Sequence, residues 1–201
     1  MHSLFHLDPV VPPGFAYIPN FITGEEETSL HKEILKIDLH NLNFKGYMAK
    51  RKVASFGYDW NFENRQLSKG KEIPKPFLSV LEKVADHLSI KTENFAELLI
   101  TEYPVGSVIN WHRDAPPFDQ IAGISLLSDC IFRLRPHEKT KQVRGAILSV
   151  PVQRRSLYVM QGAARQDWEH SIKPMEKVRY SITLRTLRKG SPEKNPRKAY
   201  H

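Results

Sequence analysis

After Glu93 the apolar residues stop recurring at the three-to-four-residue spacing of a helix and fall into short runs or alternation. The runs cover 98–103, 108–111, 121–127, 130–134, 146–150, 157–160 and 178–187, with turn residues between them. Many short strands at close spacing predict a mainly β (α+β) fold built as a sandwich, barrel or jelly roll. Upstream the signals are helical. Thr23 followed by Glu26 has the pattern of a capping box, and Leu30, Ile34 and Ile37 recur behind it at helical spacing. Pro74 and Pro76 precede a second amphipathic set, Phe77, Val80, Leu81, Val84 and Leu88, with proline at its start.

The remaining segments are less regular. Pro9, Pro12, Pro13 and Pro19 mark an extended lead-in, and 189–201 is a basic, proline-broken stretch expected to form a frayed tail. Between 41 and 71 the rings Phe44, Tyr47, Phe56, Tyr58, Trp60 and Phe62 interleave with Lys45, Lys50, Arg51, Lys52 and Arg65. This predicts hairpins or loops with an exposed role. The expected organisation is one compact unit, with helices and a lid over 1–92, a β core over 93–188 and the tail beyond.

Composition narrows the class. A chain of 201 residues buries enough surface to fold without staples. Its single cysteine, Cys130, excludes an internal disulfide and a multi-thiolate zinc cage, which points to a reducing compartment. No apolar run approaches the roughly 20 residues of a spanning helix, and the first residues lack a secretory leader pattern. The expectation is a soluble, monomeric protein of the cytoplasm or nucleus. Thirty Lys and Arg against 22 Asp and Glu give a net charge of +8, which favours a polyanionic partner such as nucleic acid.

Three elements carry chemistry. In His112-Arg113-Asp114, residues two apart on a strand share a face, so an imidazole and a carboxylate can converge on one ion. His170, after Trp168 and Glu169, would complete a set of two histidines and one carboxylate, which leaves positions of Fe(II) open. In Arg179-Tyr-Ser-Ile-Thr-Leu-Arg185, Arg179, Ser181, Thr183 and Arg185 share one face and Tyr180, Ile182 and Leu184 the other. Two arginines on a polar face turned into a barrel suit a dicarboxylate. Taken singly, these elements read more simply as a satisfied polar pair, a structural histidine and a solvated strand face. Their joint occurrence in order decides between the readings.

That order resembles the AlkB-like 2-oxoglutarate- and Fe(II)-dependent dioxygenases. The resemblance runs from about Glu97 to Arg188 through TEYPVGSVINWHRD, ISLLSDCIFRLR, YVMQGAARQDWEHSI and RYSITLR. It implies a double-stranded β-helix (jelly roll) with N-terminal helices and a nucleotide-recognition lid. It implies Fe(II) on His112, Asp114 and His170, and 2-oxoglutarate held by Arg179 and Tyr103, with Arg185 as the second arginine of the terminal motif. Thr101 and Ser181 stand where the family often has asparagine, so they are expected in the co-substrate's supporting shell.

The implied activity is oxidative dealkylation of N-alkylated bases in DNA, consuming O2 and releasing aldehyde, succinate and CO2. The alternatives are an RNA- or tRNA-directed hydroxylase or demethylase, an enzyme for methyl-lysine or a small molecule, and a non-catalytic nucleic-acid-binding protein of the same fold. The acidic residues that usually follow the metal motif and read the base are here Ala115, Pro116 and Pro117. A base must leave its stack to reach such a site, so Phe56, Tyr58 and Trp60 are expected as a ring-bearing strand face of the lid. Arg51 and Lys52 are expected on phosphate, and Arg165 at the mouth.

Overall fold

The computed structural model describes residues 11–44, 47–61 and 64–190. Pro9, Lys45, Phe62 and the stretch from 191 onward lie outside the described residues, as do the side chains of Phe44 and Tyr47. Two antiparallel sheets face each other. The major sheet has the order β1(Phe15–Ile18), β10(Leu157–Met160), β7(Phe118–Leu126), β12(Arg179–Leu187), β5(Phe95–Tyr103), β3(Tyr47–Asn61) and β2(His40–Phe44), with β4(Gln66–Lys69) also on β3. The minor sheet is β6(Ile109–His112), β11(Trp168–Ile172), β8(Cys130–Pro136) and β9(Leu148–Val152). This is the double-stranded β-helix that the strand pattern and the resemblance imply.

Alternation along the strands makes two cores from one sheet. Tyr180, Ile182 and Leu184 of β12, with Leu98 and Ile100 of β5, turn outward onto α1(Gly24–Ile34) and α2(Leu78–Leu88). Leu30 and Ile34 of α1, and Val80, Leu81 and Val84 of α2, are buried against them. Each fully buried aliphatic side chain of this kind contributes about 2 kcal/mol relative to exposure. The opposite faces of the same strands turn inward, toward Phe132, Leu134 and Ile172 of the minor sheet.

The helix signals act as read. Thr23 Oγ1 accepts from the Glu26 amide at 3.1 Å while Glu26 Oε2 accepts from the Thr23 amide at 2.7 Å, which closes the capping box. Pro76 lies in the short 3-10 turn that feeds α2. Ile37 falls beyond the end of α1, although it still packs on the outer core.

The 41–71 segment differs from expectation because it extends the major sheet instead of looping over it. Residues 52–57 of β3 pair with β5, and residues 58–61 pair with β4. The strand changes partner at Gly57, whose φ of +85° is left-handed; a Cβ there would sit 2.1 Å from the Ala96 carbonyl oxygen. This kink breaks the two-residue period. Phe56 therefore packs in the core under the helices, while Tyr58 and Trp60 pack against the core between the sheets. The three rings do not share a face.

Glu27 of α1, which the sequence did not single out, is 2% exposed. Its carboxylate accepts from the Leu127 amide at 2.8 Å and pairs with Arg154, so it ties the helix to two turns at one end of the barrel. Burial acts to raise its pKa, but the hydrogen bonds from Arg154 and Leu127 outweigh this and hold it below the usual carboxylate value. A depressed folded-state pKa gives stability that is present above the unfolded carboxylate pKa and lost as pH falls through the folded value. Glu27→Gln should cost about 1–3 kcal/mol in urea melts at pH 7, with the deficit shrinking below about pH 4; an equal deficit at both pH values would refute the ionic role.

Candidate active site

The inward face of β12 meets that of β5 in strict register. Arg179 lies opposite Tyr103, Ser181 opposite Thr101, and Arg185 opposite Glu97. All except Arg185 are classed among the buried residues, and Arg179 is 0% exposed. The minor sheet brings up the histidines. His112 closes β6 and His170 lies on β11, and the two are direct cross-strand partners, with ring centroids 4.2 Å apart. They are neighbours in one sheet, which is why a long sequence separation vanishes in space. Asp114 follows the end of β6, buried, with Oδ2 3.7 Å from His170 Nε2.

Each member of the triad is held from behind. His112 Nδ1 lies 2.9 Å from the Asn110 carbonyl oxygen, which makes Nδ1 the donor and leaves Nε2 with its lone pair free. His170 stacks at 5.3 Å and 9° on Phe132. Asp114 Oδ1 accepts from Arg185 Nε at 3.0 Å and Nη2 at 2.7 Å, and Oδ2 is buried with no hydrogen-bond partner.

Burial, reinforced by the His112 ring, pushes the His170 pKa down to about 3, and burial also lowers that of His112. Asp114 is held well below its usual value, because Arg185 and the two imidazoles outweigh the cost of burying it. Two neutral imidazoles and an ionised carboxylate are the protonation states a metal requires. Among the described residues no three such donors already close on one point as a finished shell. The set is gathered but open, and the orphaned Asp114 Oδ2 fits a cation. Iron(II), with its preference for two histidines and a carboxylate, matches this donor set.

A second orphan lies deeper. Arg179 donates Nε–H to Ser125 Oγ at 2.8 Å and lies 4.9 Å from the Tyr103 ring, yet Nη1 and Nη2 are buried with no partner. Tyr103, Tyr158 and Cys130 surround it. A buried fork with two free donors is a carboxylate receptor, so the residues fit the distal end of 2-oxoglutarate. Ser181 Oγ is likewise buried without a partner. Tyr158 is packed so tightly that a Cβ on Gly123 would fall 2.2 Å from its ring.

Two expected roles change. Arg185 is not a free fork for a dicarboxylate, because it is spent on Asp114 and on Glu97 Oε2 at 2.6 Å. Glu97, missed in the sequence, also accepts from Ser55 Oγ at 2.9 Å. Its only sequence signal was its parity with Tyr103 on β5. Arg165 is not at the mouth. It is 4% exposed, and its Nη2 donates to the carbonyl oxygens of Asp114, Ala115 and Phe118 at 3.2, 2.8 and 2.9 Å. It pins the loop that carries Asp114 to α3(Gly162–Gln166), the short helix just before β11.

A cavity of about 1420 Å³ opens over the triad. Tyr103, Thr101, Phe132 and Tyr158 line it near the donors, and Arg51, Trp60, Trp111 and Arg113 line it farther out. Phe56 also borders it, whereas Tyr58 is not among its lining residues.

The family model for the 2OG-Fe(II) oxygenase superfamily matches residues 14–190, the whole of both sheets. The chain is an AlkB-like member of that superfamily. Its cofactor is Fe(II), and 2-oxoglutarate and O2 are its co-substrates. Mouse tRNA (carboxymethyluridine(34)-5-O)-methyltransferase ALKBH8 is 32% identical over 171 residues, covering 82% of this chain and 25% of that protein. Human DNA oxidative demethylase ALKBH2 is 30% identical over 158 residues, covering 71% of this chain and 59% of that protein. The chain thus spans about a quarter of the length of the mouse relative. Among solved structures, OsALKBH1 superposes with a TM-score of 0.68 at 12% identity over 88% of this chain and 98% of that one. A Pseudomonas putida prolyl-4-hydroxylase gives 0.62 at 15% identity over 87% and 93%, a likeness of fold alone. No helix among the described residues is long and apolar enough to cross a membrane.

Because Arg165 acts on the backbone carbonyls of Asp114 and Ala115, the segment that carries the candidate ligand, Arg165→Met should weaken Fe(II) binding about tenfold, the scale of lost outer-shell support. Anaerobic titration checks this beside a thermal melt. Unchanged affinity in a folded variant would refute the role.

Proposed function

We propose that the protein oxidises an alkyl substituent on a nucleobase, releasing the unmodified base and an aldehyde from an N-alkyl group in DNA. The single observation that supports this most is a pair of orphans, one in the cavity wall and one buried behind Tyr103, which lines that wall. Asp114 Oδ2 lacks a partner among the metal donors, and the Arg179 guanidinium lacks one below them. Bound Fe(II) would supply activation of O2, driven by oxidative decarboxylation of 2-oxoglutarate to succinate.

The chain's own residues do the rest. His112, Asp114 and His170 would hold the metal, and Arg185 keeps the Asp114 carboxylate ionised and aimed. Arg179 and Tyr103 would fix the far carboxylate, so that the keto-acid end of the co-substrate points at the metal. Phe132, Ile172 and Leu134 dry the inner side of the minor sheet, which excludes water from the reacting carbon. Trp60 and Arg51 border the way in, where a flipped base would meet an aromatic face and a phosphate partner. Phe56 packs in the outer core and reaches the cavity only at its border.

A tRNA-modifying hydroxylase is the second reading, and the similarity to ALKBH8 over 82% of this chain favours it. Both readings share the site and differ in the polymer.

The test is succinate and aldehyde release from N-methylated DNA, RNA and tRNA oligonucleotides, with Fe(II) and 2-oxoglutarate loaded anaerobically before oxygen is admitted. Stimulated turnover on DNA above the other two is expected. A preference for tRNA would select the second reading, and no stimulation by any of them would overturn both. Asp114→Ala should remove turnover while the protein still melts cooperatively. In Arg179→Gln the KM for 2-oxoglutarate should rise at least tenfold, the cost of losing a charge-assisted fork.

A further inference from the structure

The outward face of the minor sheet carries a second cationic and aromatic surface, which meets the cavity at Trp111 and Arg113 and otherwise lies outside it. His112 and His170 point into the cavity, so their neighbours Trp111 and Ser171 point out, with Arg133 and Arg135 of β8 in register beside them. The Trp111 ring reaches across β11, and the Arg133 and Arg135 guanidinium carbons lie 4.9 and 4.5 Å from its centroid. Arg133 also donates to Ser171 Oγ at 2.9 Å. Beyond β8 the loop to β9 is exposed and bears Lys139, Lys141 and Arg144.

Charge on this face is unbalanced. Glu169 takes Arg135 and His137, and Glu138 takes Lys141. Among the described residues, Arg113, Arg133, Lys139 and Arg144 make no ion pair. Trp111 and Arg113 also line the cavity, so the surface is continuous with its mouth. Arg133 beside the Trp111 ring, with Arg113 next along the chain from His112 and Lys139 and Arg144 on the exposed loop beyond β8, forms a track for a polyanion with bases, and a single strand fits because its bases can lie on the ring.

We propose that this face, from Arg113 and Trp111 across Arg133 to Lys139 and Arg144, binds the backbone of the single-stranded nucleic acid that flanks the base in the cavity. The proposal rests on the nucleobase reading above and names where its polymer runs. It moves the main phosphate contacts from the N-terminal segment to the catalytic sheets. Within 45–65, Lys52 is partly spent on Glu102 at 3.7 Å, which leaves that segment with less free charge than its composition suggests.

The experiment measures binding of a fluorescent, unmodified 12-nucleotide single strand, as DNA and as RNA, across a salt series. The triple variant Arg133→Gln, Lys139→Gln, Arg144→Gln is compared with Lys32→Gln, Lys75→Gln, Lys91→Gln, which removes the same charge from the helical side. Each lost phosphate contact on a single strand flattens the log–log salt slope by about 0.7, so the first triple should flatten it by about 2 and the second by almost nothing.

At low salt the first triple should bind at least tenfold more weakly, with 2-oxoglutarate turnover in the absence of nucleic acid unchanged. Equal losses in the two triples would overturn the proposal, as would competition by polyglutamate as effective as that by unlabelled strand. Binding that follows the expected pattern on a strand that is never oxidised would instead overturn the nucleobase reading and leave this surface standing.

Discussion

The bridge from Arg185 to Asp114 and Glu97 is the interaction on which the rest of the site depends. Arg185 and two carboxyl groups are taken out of water here, with burial raising the Glu97 pKa even beside Arg185, and burial of this kind is repaid only by near-ideal geometry. The geometry is supplied by β12, which is hydrogen-bonded on both edges, to β5 and to β7. Arg185 is thereby fixed, directly opposite Glu97 in register and within reach of the loop after β6. Through Arg165 the same loop is tied to the helix before His170. The two histidines come from adjacent strands of one sheet, the carboxylate from the turn between the sheets, and the arginine from the other sheet. Moving any one of them disturbs the others.

This economy has a cost in unsatisfied groups. Asp114 Oδ2, both terminal nitrogens of Arg179, and the hydroxyls of Ser107 and Ser181 are buried without partners. Such groups destabilise a fold by roughly 1–3 kcal/mol each when nothing meets them. Asp114 lines the cavity and Arg179 lies behind Tyr103, which also lines it, so two of these orphans sit where a metal and a carboxylate would meet them. The helices on the outer face matter for the same reason: the outer core of Leu98, Ile100, Ile182 and Leu184 carries the stability that the inner face gives up.

Much of this was legible in the sequence. The alternation of Arg179 through Arg185 predicted one polar and one apolar face, and both are largely buried, the polar one turned between the sheets with Thr183 and Arg185 on the cavity wall. The convergence of His112, Asp114 and His170 was legible once the ordered motifs were read together. Glu97 was not, because its meaning comes from a cross-strand partner far along the chain and not from any local pattern. Arg165 was misplaced because a sequence position near a ligand does not say whether a side chain points out or under. The aromatic segment failed at one residue: Gly57 takes a positive φ, the strand changes partner, and the parity of every ring after it is altered.

The absence of an acidic residue after the metal motif also takes on a different meaning in the structure. Arg165 clamps the carbonyls of Asp114 and Ala115, and Ala115 and Pro117 are buried and apolar, so that segment serves to seat Asp114 and offers no polar side chain for reading a base. Discrimination must then come from the walls farther out, where Trp60, Arg51, Trp111 and Arg113 stand around the opening. Aromatic faces and guanidinium groups recognise any stacked base and its phosphates with little regard to sequence. On the proposed nucleobase reading, chemical selectivity would therefore fall on the reaction itself: the substrate turned over would be the one whose alkyl carbon reaches the metal while the backbone stays outside. The walls would then select for a nucleic acid strand, and the reach to the metal would select for the modification.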